Sequence, residues 1–316
     1  MSLLFVADPL ESFKTYKDTT FAMMREAARR GHELWACEPA DLVWVRGARV
    51  VARHARAITL TGDAERWFDV VAERELALAD TRAVLMRKDP PFDAEYFYAT
   101  HLLQQAEREG ARVFNKPAAL RDHPEKLAIL EFPQWIGPTL VTRSEQAVRA
   151  FHAEHGDIIV KPLDGMGGRG IFRVGPDGMN LGAIVETIGG HGSTTVMVQR
   201  FLPEIVRGDK RILLIDGEAV PFCLARIPQG SEVRGNLAVG GKGVAQPLSA
   251  RDHEIAQALG AVLRTRGLLL VGLDVIGDCL TEINVTSPTC FQEIAQQTGF
   301  DVARMFVDAL ERALAS

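Results

Sequence analysis

The chain has 316 residues, a hydrophobic fraction of 47%, a charged fraction of 24% and a formal net charge of -5. That length buries a large core without disulfide staples and leaves room for about two domains. The mildly acidic balance excludes nucleic acid and anionic membranes as electrostatic partners, and no run approaches the ~20 apolar residues of a membrane span.

The N-terminus "MSLLFVADPL" lacks a basic n-region and its apolar run breaks at Asp8, so it reads as a strand rather than a secretory signal. Cys37, Cys223, Cys279 and Cys290 show no C-x-x-C spacing, which points to a reducing cytoplasm. After the first strand, "TTFAMMREAARRG" predicts a helix with Phe21, Met24, Ala27 and Ala28 on its apolar face and Gly31 as its stop. "HELWAC" predicts a strand, "DLVWVRGARVVA" a hairpin turning at Gly47, and "AVLMRKDPP" a strand then a turn. "DAEYFYATHLLQQAEREG" reads as a helix ended by Gly110, and "ARVFNKP" as another strand. Strands alternating with helices predict βαβ units and a mainly parallel sheet.

A helical connector "HPEKLAIL" follows, then a strand "PTLVT" and a helix "SEQAVRAFHAEHG". His152 and His155 on that helix have no third ligand nearby, so they are expected to be exposed and zinc is disfavoured. From Asp157 the pattern changes to strands and hairpins: "DIIVKPL", "IFRV", "TVMVQRFL", "KRILLIDG" and "EAVPFCLARIP". The last third predicts a helix near 252 to 265, strands "LLLVGLDVIG" and "LTEINV", and one final helix from about 291 to 314.

"KPLDGMGGRG" contains a formal G-x-G-x-x-G at Gly165, Gly167 and Gly170. A dinucleotide fingerprint needs a helix opening after the glycines, whereas "IFRV" reads as a strand. The loop is either a tight hairpin needing positive φ or a flap over phosphates, with Lys161 presented beneath it. Lys126, in the connector, is a weaker phosphate candidate on its own.

The most informative stretch is "GLDVIGDCLTEINVTSPT". Glu282 and Asn284 share a strand face, and Asp274 joins them if the hairpin connection is odd-numbered or carries a bulge. Carboxylates plus an amide oxygen form a donor set for a hard cation, with Mg²⁺ beside phosphates the usual occupant. The alternative is a solvated hairpin. Asp209, Lys210 and Arg211 stand at a strand start, where Arg211 is suited to a phosphoryl group or a carboxylate, or belongs to a surface ion-pair cluster. Residues 225 to 244, with five glycines and the basic residues Arg226, Arg234 and Lys242, read as a lid or as a plain surface loop. No side-chain nucleophile motif exists: Ser287 and Cys290 have no histidine partner in sequence.

Together "RKDPPFD", "KPLDGMGG", "LARIPQGSEVRGNLAVGGKG" and "VIGDCLTEINVTSPTC" resemble the bacterial glutathione synthetases, within the ATP-grasp ligase superfamily, over essentially the whole chain. That resemblance implies an N-terminal parallel α/β domain over 1–122. It also implies a two-part α+β ATP-grasp domain over 123–316, divided near 202. It implies ATP as co-substrate with Mg²⁺ or Mn²⁺, and ligation of glycine to γ-glutamylcysteine through an acyl phosphate. For the residues, it implies that Lys126, Lys161, Gly165, Gly167, Gly168, the segment Gln199, Arg200, Phe201 and Leu202, and Asp209 meet the nucleotide. Asp274, Glu282 and Asn284 would hold the metal. Arg211, Arg226 and Arg234 would neutralise the phosphoryl group, and Arg87, Ser287 and Pro288 would meet substrate. The partners are small molecules, in a cytoplasmic homo-oligomer, by resemblance a tetramer. Other readings are a carboxylate-amine ligase with a different acceptor, a nicotinamide oxidoreductase, and a silent ATP-binding module.

Overall fold

The computed structural model describes residues 1–230 and 232–315; Ser231, inside the glycine-rich segment, and Ser316 lie outside them. The first sheet holds β1 (Ser2–Val6), β2 (Glu33–Cys37), β3 (Leu42–Val43), β4 (Val51–Leu60), β5 (Phe68–Ala77), β6 (Ala83–Met86) and β7 (Val113–Phe114). β2, β1, β6 and β7 pair in parallel, and their continuous apolar runs are buried on both faces, as covered parallel strands require. The expected parallel sheet is therefore only one side of it, from β2 to the edge strand β7. β3, β4 and β5 extend it in antiparallel fashion, and the ten-residue β5 is largely exposed. Polar and charged side chains at Arg53, His54, Arg56, Glu73, Arg74 and Glu75 hide this long hairpin from a reading based on apolar alternation.

α1 (Thr19–Arg29) and α2 (Ala94–Arg108) cover that sheet, followed by the short α3 (Pro117–Asp122). Asp18 caps α1 by accepting from the Phe21 N–H at 2.7 Å, and Asp93 caps α2 through the Tyr96 N–H at 2.9 Å. The stretch predicted as a helical connector is a 3₁₀ turn over Leu127–Glu131, with Lys126 at its head.

The second sheet is fully antiparallel, in the order β10-β9-β11-β8: β8 (Thr139–Thr142), β9 (Ile158–Pro162), β10 (Phe172–Val174) and β11 (Val196–Arg200). α4 (Glu145–His155) and α5 (Leu181–Gly189) pack on one face, with Val148, Ile158, Val160, Val196 and Val198 in its core. Strand alternation turns Ile159, Lys161 and Gln199 to the opposite face. His152 and His155 are half-buried rather than exposed: His152 bonds the Gly175 carbonyl at 2.8 Å and His155 packs edge-on against Phe151.

The third sheet runs β15-β14-β12-β16-β17, with the short β13 (Glu218–Ala219) on β12. Its strands are β12 (Asp209–Ile215), β14 (Phe222–Ile227), β15 (Lys242–Pro247), β16 (Leu270–Ile276) and β17 (Cys279–Asn284). α6 (Ala250–Thr265) packs against β12 and β13, and its Ser249/Asp252 capping box also holds Lys210, which bonds Asp252 and the Gly277 carbonyl. The final helix is two, α7 (Phe291–Thr298) and α8 (Val302–Ala315). Gly299 at φ +76 ends the first in a left-handed cap, where the pattern predicts one helix from about 291 to 314. No helix among the described residues is long and apolar enough to cross a membrane.

Candidate active site

The β16–β17 hairpin turns through Gly277 and Asp278, and a bulge between Asp274 and Val275 shifts its register. That bulge places Asp274 directly opposite Glu282, and Asn284 opposite Gly272, so the three oxygen-bearing side chains share a face. The same row continues across the sheet, because Arg211 on β12 lies opposite Asp274. Asp209 pairs with Arg226 one step along. The alternative of a surface ion-pair cluster at 209 to 211 does not hold: Arg211 is 6% exposed, Asp209 and Lys210 are half-buried, and Arg226 on the next strand is 5% exposed.

These charges neutralise one another. Arg211 donates Nε to Asp274 Oδ1 at 2.6 Å and Nη2 to Oδ2 at 3.2 Å, and Arg226 Nη2 lies 2.8 Å from Asp274 Oδ2. Burial disfavours the Asp274 carboxylate, but the two guanidiniums outweigh it and hold its carboxyl below the usual range. Arg226 Nη2 also donates to Asp209 Oδ2 at 2.5 Å, while Asp209 Oδ1 is buried without a partner among the described residues. Arg226 sits on β14, so it belongs to the sheet rather than to a mobile lid.

Two cavities open on this floor. The larger, about 420 Å³, is lined by Arg87, Lys126, the glycine loop at 165–168, Arg211, Arg226, Asp274, Glu282 and Asn284, and by Ser287 and Pro288. The smaller, about 100 Å³, is lined by Lys161, the run Gln199 to Leu202, Asp209, Arg234 and again Glu282. Every site residue expected from sequence thus lines one cavity or the other, and Glu282 faces both. Among the described residues no three His, Cys, Asp or Glu gather as a metal centre; the third oxygen donor of the hairpin is the Asn284 amide. The set fits a hard cation, and a cation already stands beside Glu282: Lys126 Nζ lies 3.1 Å from Oε1.

Lys126 also donates to the Gly165 carbonyl at 2.5 Å, tying the connector to the flap. The lid meets the flap from the other side, where Arg234 Nη1 donates to the Gly168 carbonyl at 3.0 Å. Gly168 has φ +83, and a Cβ there would lie 2.7 Å from Asn236 Oδ1, so only glycine lets the two loops approach this closely. Lys161 donates to the Thr281 carbonyl at 3.3 Å, and burial pulls its ammonium down to about 8. Its charge is therefore lost as pH rises from about 8 towards the ordinary 10.5, and stability grows over that window because the unfolded chain binds the extra proton. Affinity of this pocket for a phosphate-bearing anion is expected to weaken above about pH 8, and Lys161→Met to lack that limb. Calorimetric titration from about pH 7 to 10 reads this, and a wild-type profile as flat as that of the variant contradicts it.

Sequence reading missed Glu125, Asp18 and Glu293, which also line the larger cavity. Glu125 Oε1 accepts from the Val285 and Thr286 N–H groups at 2.9 and 3.1 Å, clamping the connector to the end of β17. Its position beside Lys126 was its only sequence signal.

A family model of an ATP-grasp domain matches residues 125–299, which places the chain in the ATP-grasp class. The crystal structure of D-cycloserine synthetase DcsG has this fold, with a TM-score of 0.69 at 16% identity over 99% of this chain and 100% of that one. Within that class the chain belongs to the prokaryotic glutathione synthetase family, whose N-terminal domain profile matches residues 1–121 and whose ATP-grasp domain profile matches 125–299. A glutathione synthetase of Ralstonia nicotianae is 62% identical over 313 residues, covering 99% of this chain and 96% of its own. One from Neisseria meningitidis serogroup B is 57% identical, covering 98% of each chain.

Proposed function

We propose that this chain is an ATP-dependent ligase that joins glycine to γ-glutamylcysteine, giving glutathione, ADP and phosphate. The observation that carries this reading is the row Arg211–Asp274–Glu282, which lines the larger cavity and reaches the smaller one through Glu282. A cysteinyl carboxylate oxygen attacks the γ-phosphorus of ATP and ADP leaves. The glycine amine then attacks the acyl carbon, and the carbon–oxygen bond to phosphate breaks.

Such chemistry is driven by positioning and charge neutralisation rather than by a protein nucleophile. Lys161, Lys126 and the backbone of Gly165, Gly167 and Gly168 hold the phosphates. Gln199, Arg200, Phe201 and Leu202 line the adenine end, and Asp209 offers its unpartnered oxygen to the nucleotide. Arg211 and Arg226 from below, with Arg234 from the lid, neutralise the transferring group. Arg87, Ser287 and Pro288 meet the dipeptide. Acyl phosphates hydrolyse, which gives the contact between lid and flap its purpose.

Glu282 and Asn284, with a lone pair of Asp274 not used by arginine, would hold Mg²⁺ or Mn²⁺. When bound, that ion supplies charge neutralisation at the phosphate oxygens. The working division is a substrate-side domain at 1–122, a nucleotide-binding part at 123–202 and a metal and lid part at 203–316. We place the reaction in the cytoplasm, in a homo-oligomer, by family resemblance a tetramer. Phosphate release tests the reading: turnover is expected with γ-glutamylcysteine plus glycine. Turnover only with D-alanine or glutamate as acceptor, or none, contradicts it.

A further inference from the structure

β17 is the outermost strand of the third sheet: β16 pairs with one edge, and among the described residues no strand pairs with the other. An edge strand leaves a row of N–H and C=O groups without ladder partners. Here residues from outside the sheet take several of them up. Lys161 donates to the Thr281 carbonyl at 3.3 Å. Further along, the Glu125 carbonyl accepts the Ile283 N–H at 2.9 Å. Glu125 Oε1 then accepts the Val285 N–H at 2.9 Å, the Thr286 N–H at 3.1 Å and the Thr286 hydroxyl at 2.8 Å. One residue thus bonds the chain on both sides of Asn284.

Asn284 closes β17, so the ladder holds it from one direction only. Its Nδ2 donates to the Gly272 carbonyl at 3.3 Å, which leaves Oδ1 as the ligand oxygen. That oxygen and Glu282 face one cation only while the strand end is fixed. Lys126, the residue after Glu125, reaches both Glu282 and the Gly165 carbonyl, so the same two-residue step fixes the strand and the cation beside it. The step is anchored away from the cleft as well: His123 bonds the Ala119 carbonyl at 2.7 Å and Arg266 Nη1 at 2.6 Å.

All three donors reach Oε1 of Glu125, and none among the described residues bonds Oε2. Burial, and then the charge of Glu282, push the Glu125 carboxyl above its ordinary 4.5. Charge is therefore a cost at this position, and what the bonds require is an acceptor oxygen at that reach. We propose that Glu125 is a positioning residue for the metal-binding face of β17, holding the strand end so that Asn284 and Glu282 present their oxygens to one cation. It acts through those two residues, as partners behind metal ligands do. This rests on the reading of Glu282 and Asn284 as metal ligands and adds the residue that orients them.

Equilibrium dialysis of Mn²⁺ at saturating ADP reads the metal without turnover. Glu125→Asp keeps the charge but draws the carboxylate back, whereas Glu125→Gln drops the charge and keeps an oxygen at the same reach. Glu125→Asp is expected to bind Mn²⁺ about 10–100-fold more weakly, and Glu125→Gln to stay close to wild type. Turnover of Glu125→Asp should approach wild type at saturating Mg²⁺, the loss falling on the Mg²⁺ concentration that gives half the maximal rate. Wild-type Mn²⁺ affinity in Glu125→Asp, or a loss in Glu125→Gln as large as in Glu125→Asp, would overturn the proposal. If Glu125→Asp fails to fold, Thr286→Val, which deletes only the hydroxyl bond, decides instead: weaker Mn²⁺ binding supports the proposal and unchanged binding overturns it. Glu282→Gln separates the two readings. Mn²⁺ binding unchanged by that substitution would sink the metal reading and this proposal with it, whereas binding weakened by Glu282→Gln but not by Glu125→Asp refutes the positioning role alone.

Discussion

Glu282→Gln is expected to lower turnover by about 10²–10³-fold while leaving the melting temperature near wild type. The side chain is 20% exposed and sits on the rim shared by both cavities, so its folding role is small. Gln keeps the length and one oxygen but removes the charge that faces Lys126 and that, in the mechanism proposed above, would face a cation beside the phosphates. Loss should be greatest at limiting Mg²⁺ and partly recovered at high Mg²⁺, because one ligand oxygen survives. Unchanged turnover at every Mg²⁺ concentration would remove the hairpin from the mechanism.

Asp274→Asn is expected to damage the fold itself, by about 3–5 kcal/mol. Its carboxylate is 2% exposed and is the common partner of Arg211 and Arg226. With it neutral, Asp209 alone would face two buried guanidiniums. The pH dependence has a definite sign. The folded carboxyl is held below the ordinary 3.8, so its contribution is fully present above that value and is lost as pH falls below it. Urea unfolding should show the wild-type advantage over the variant shrinking in that acidic range. A variant as stable as wild type at neutral pH contradicts the account.

Much of this arrangement was legible because it rests on local chemistry. Lys161 after an apolar strand, the glycines that follow and the Glu282/Asn284 spacing each carry a pattern of period two or a turn requirement. The Asp274 position could be stated only conditionally, on a bulge, and the bulge at Asp274/Val275 is what satisfies it. What the sequence hid is set by distant partners. The burial of Arg211 and Arg226 was not legible because their counter-ions, Asp274 and Asp209, are assigned by strand order. Asp18 and Glu293 lie 275 residues apart and meet one cavity only because Gln292 ties α7 to the loop before α1. The hairpin of β4 and β5 was missed because β5 is exposed on both faces over most of its length, so no apolar alternation marks it.

The central claim is that this cleft activates a carboxylate as an acyl phosphate before an amine displaces phosphate. Transfer of oxygen from substrate to phosphate measures it directly. With γ-glutamylcysteine labelled by ¹⁸O in the cysteinyl carboxylate, ATP and glycine, the account predicts one ¹⁸O atom in each inorganic phosphate released, in step with glutathione formed. Glutathione formed with unlabelled phosphate would contradict it.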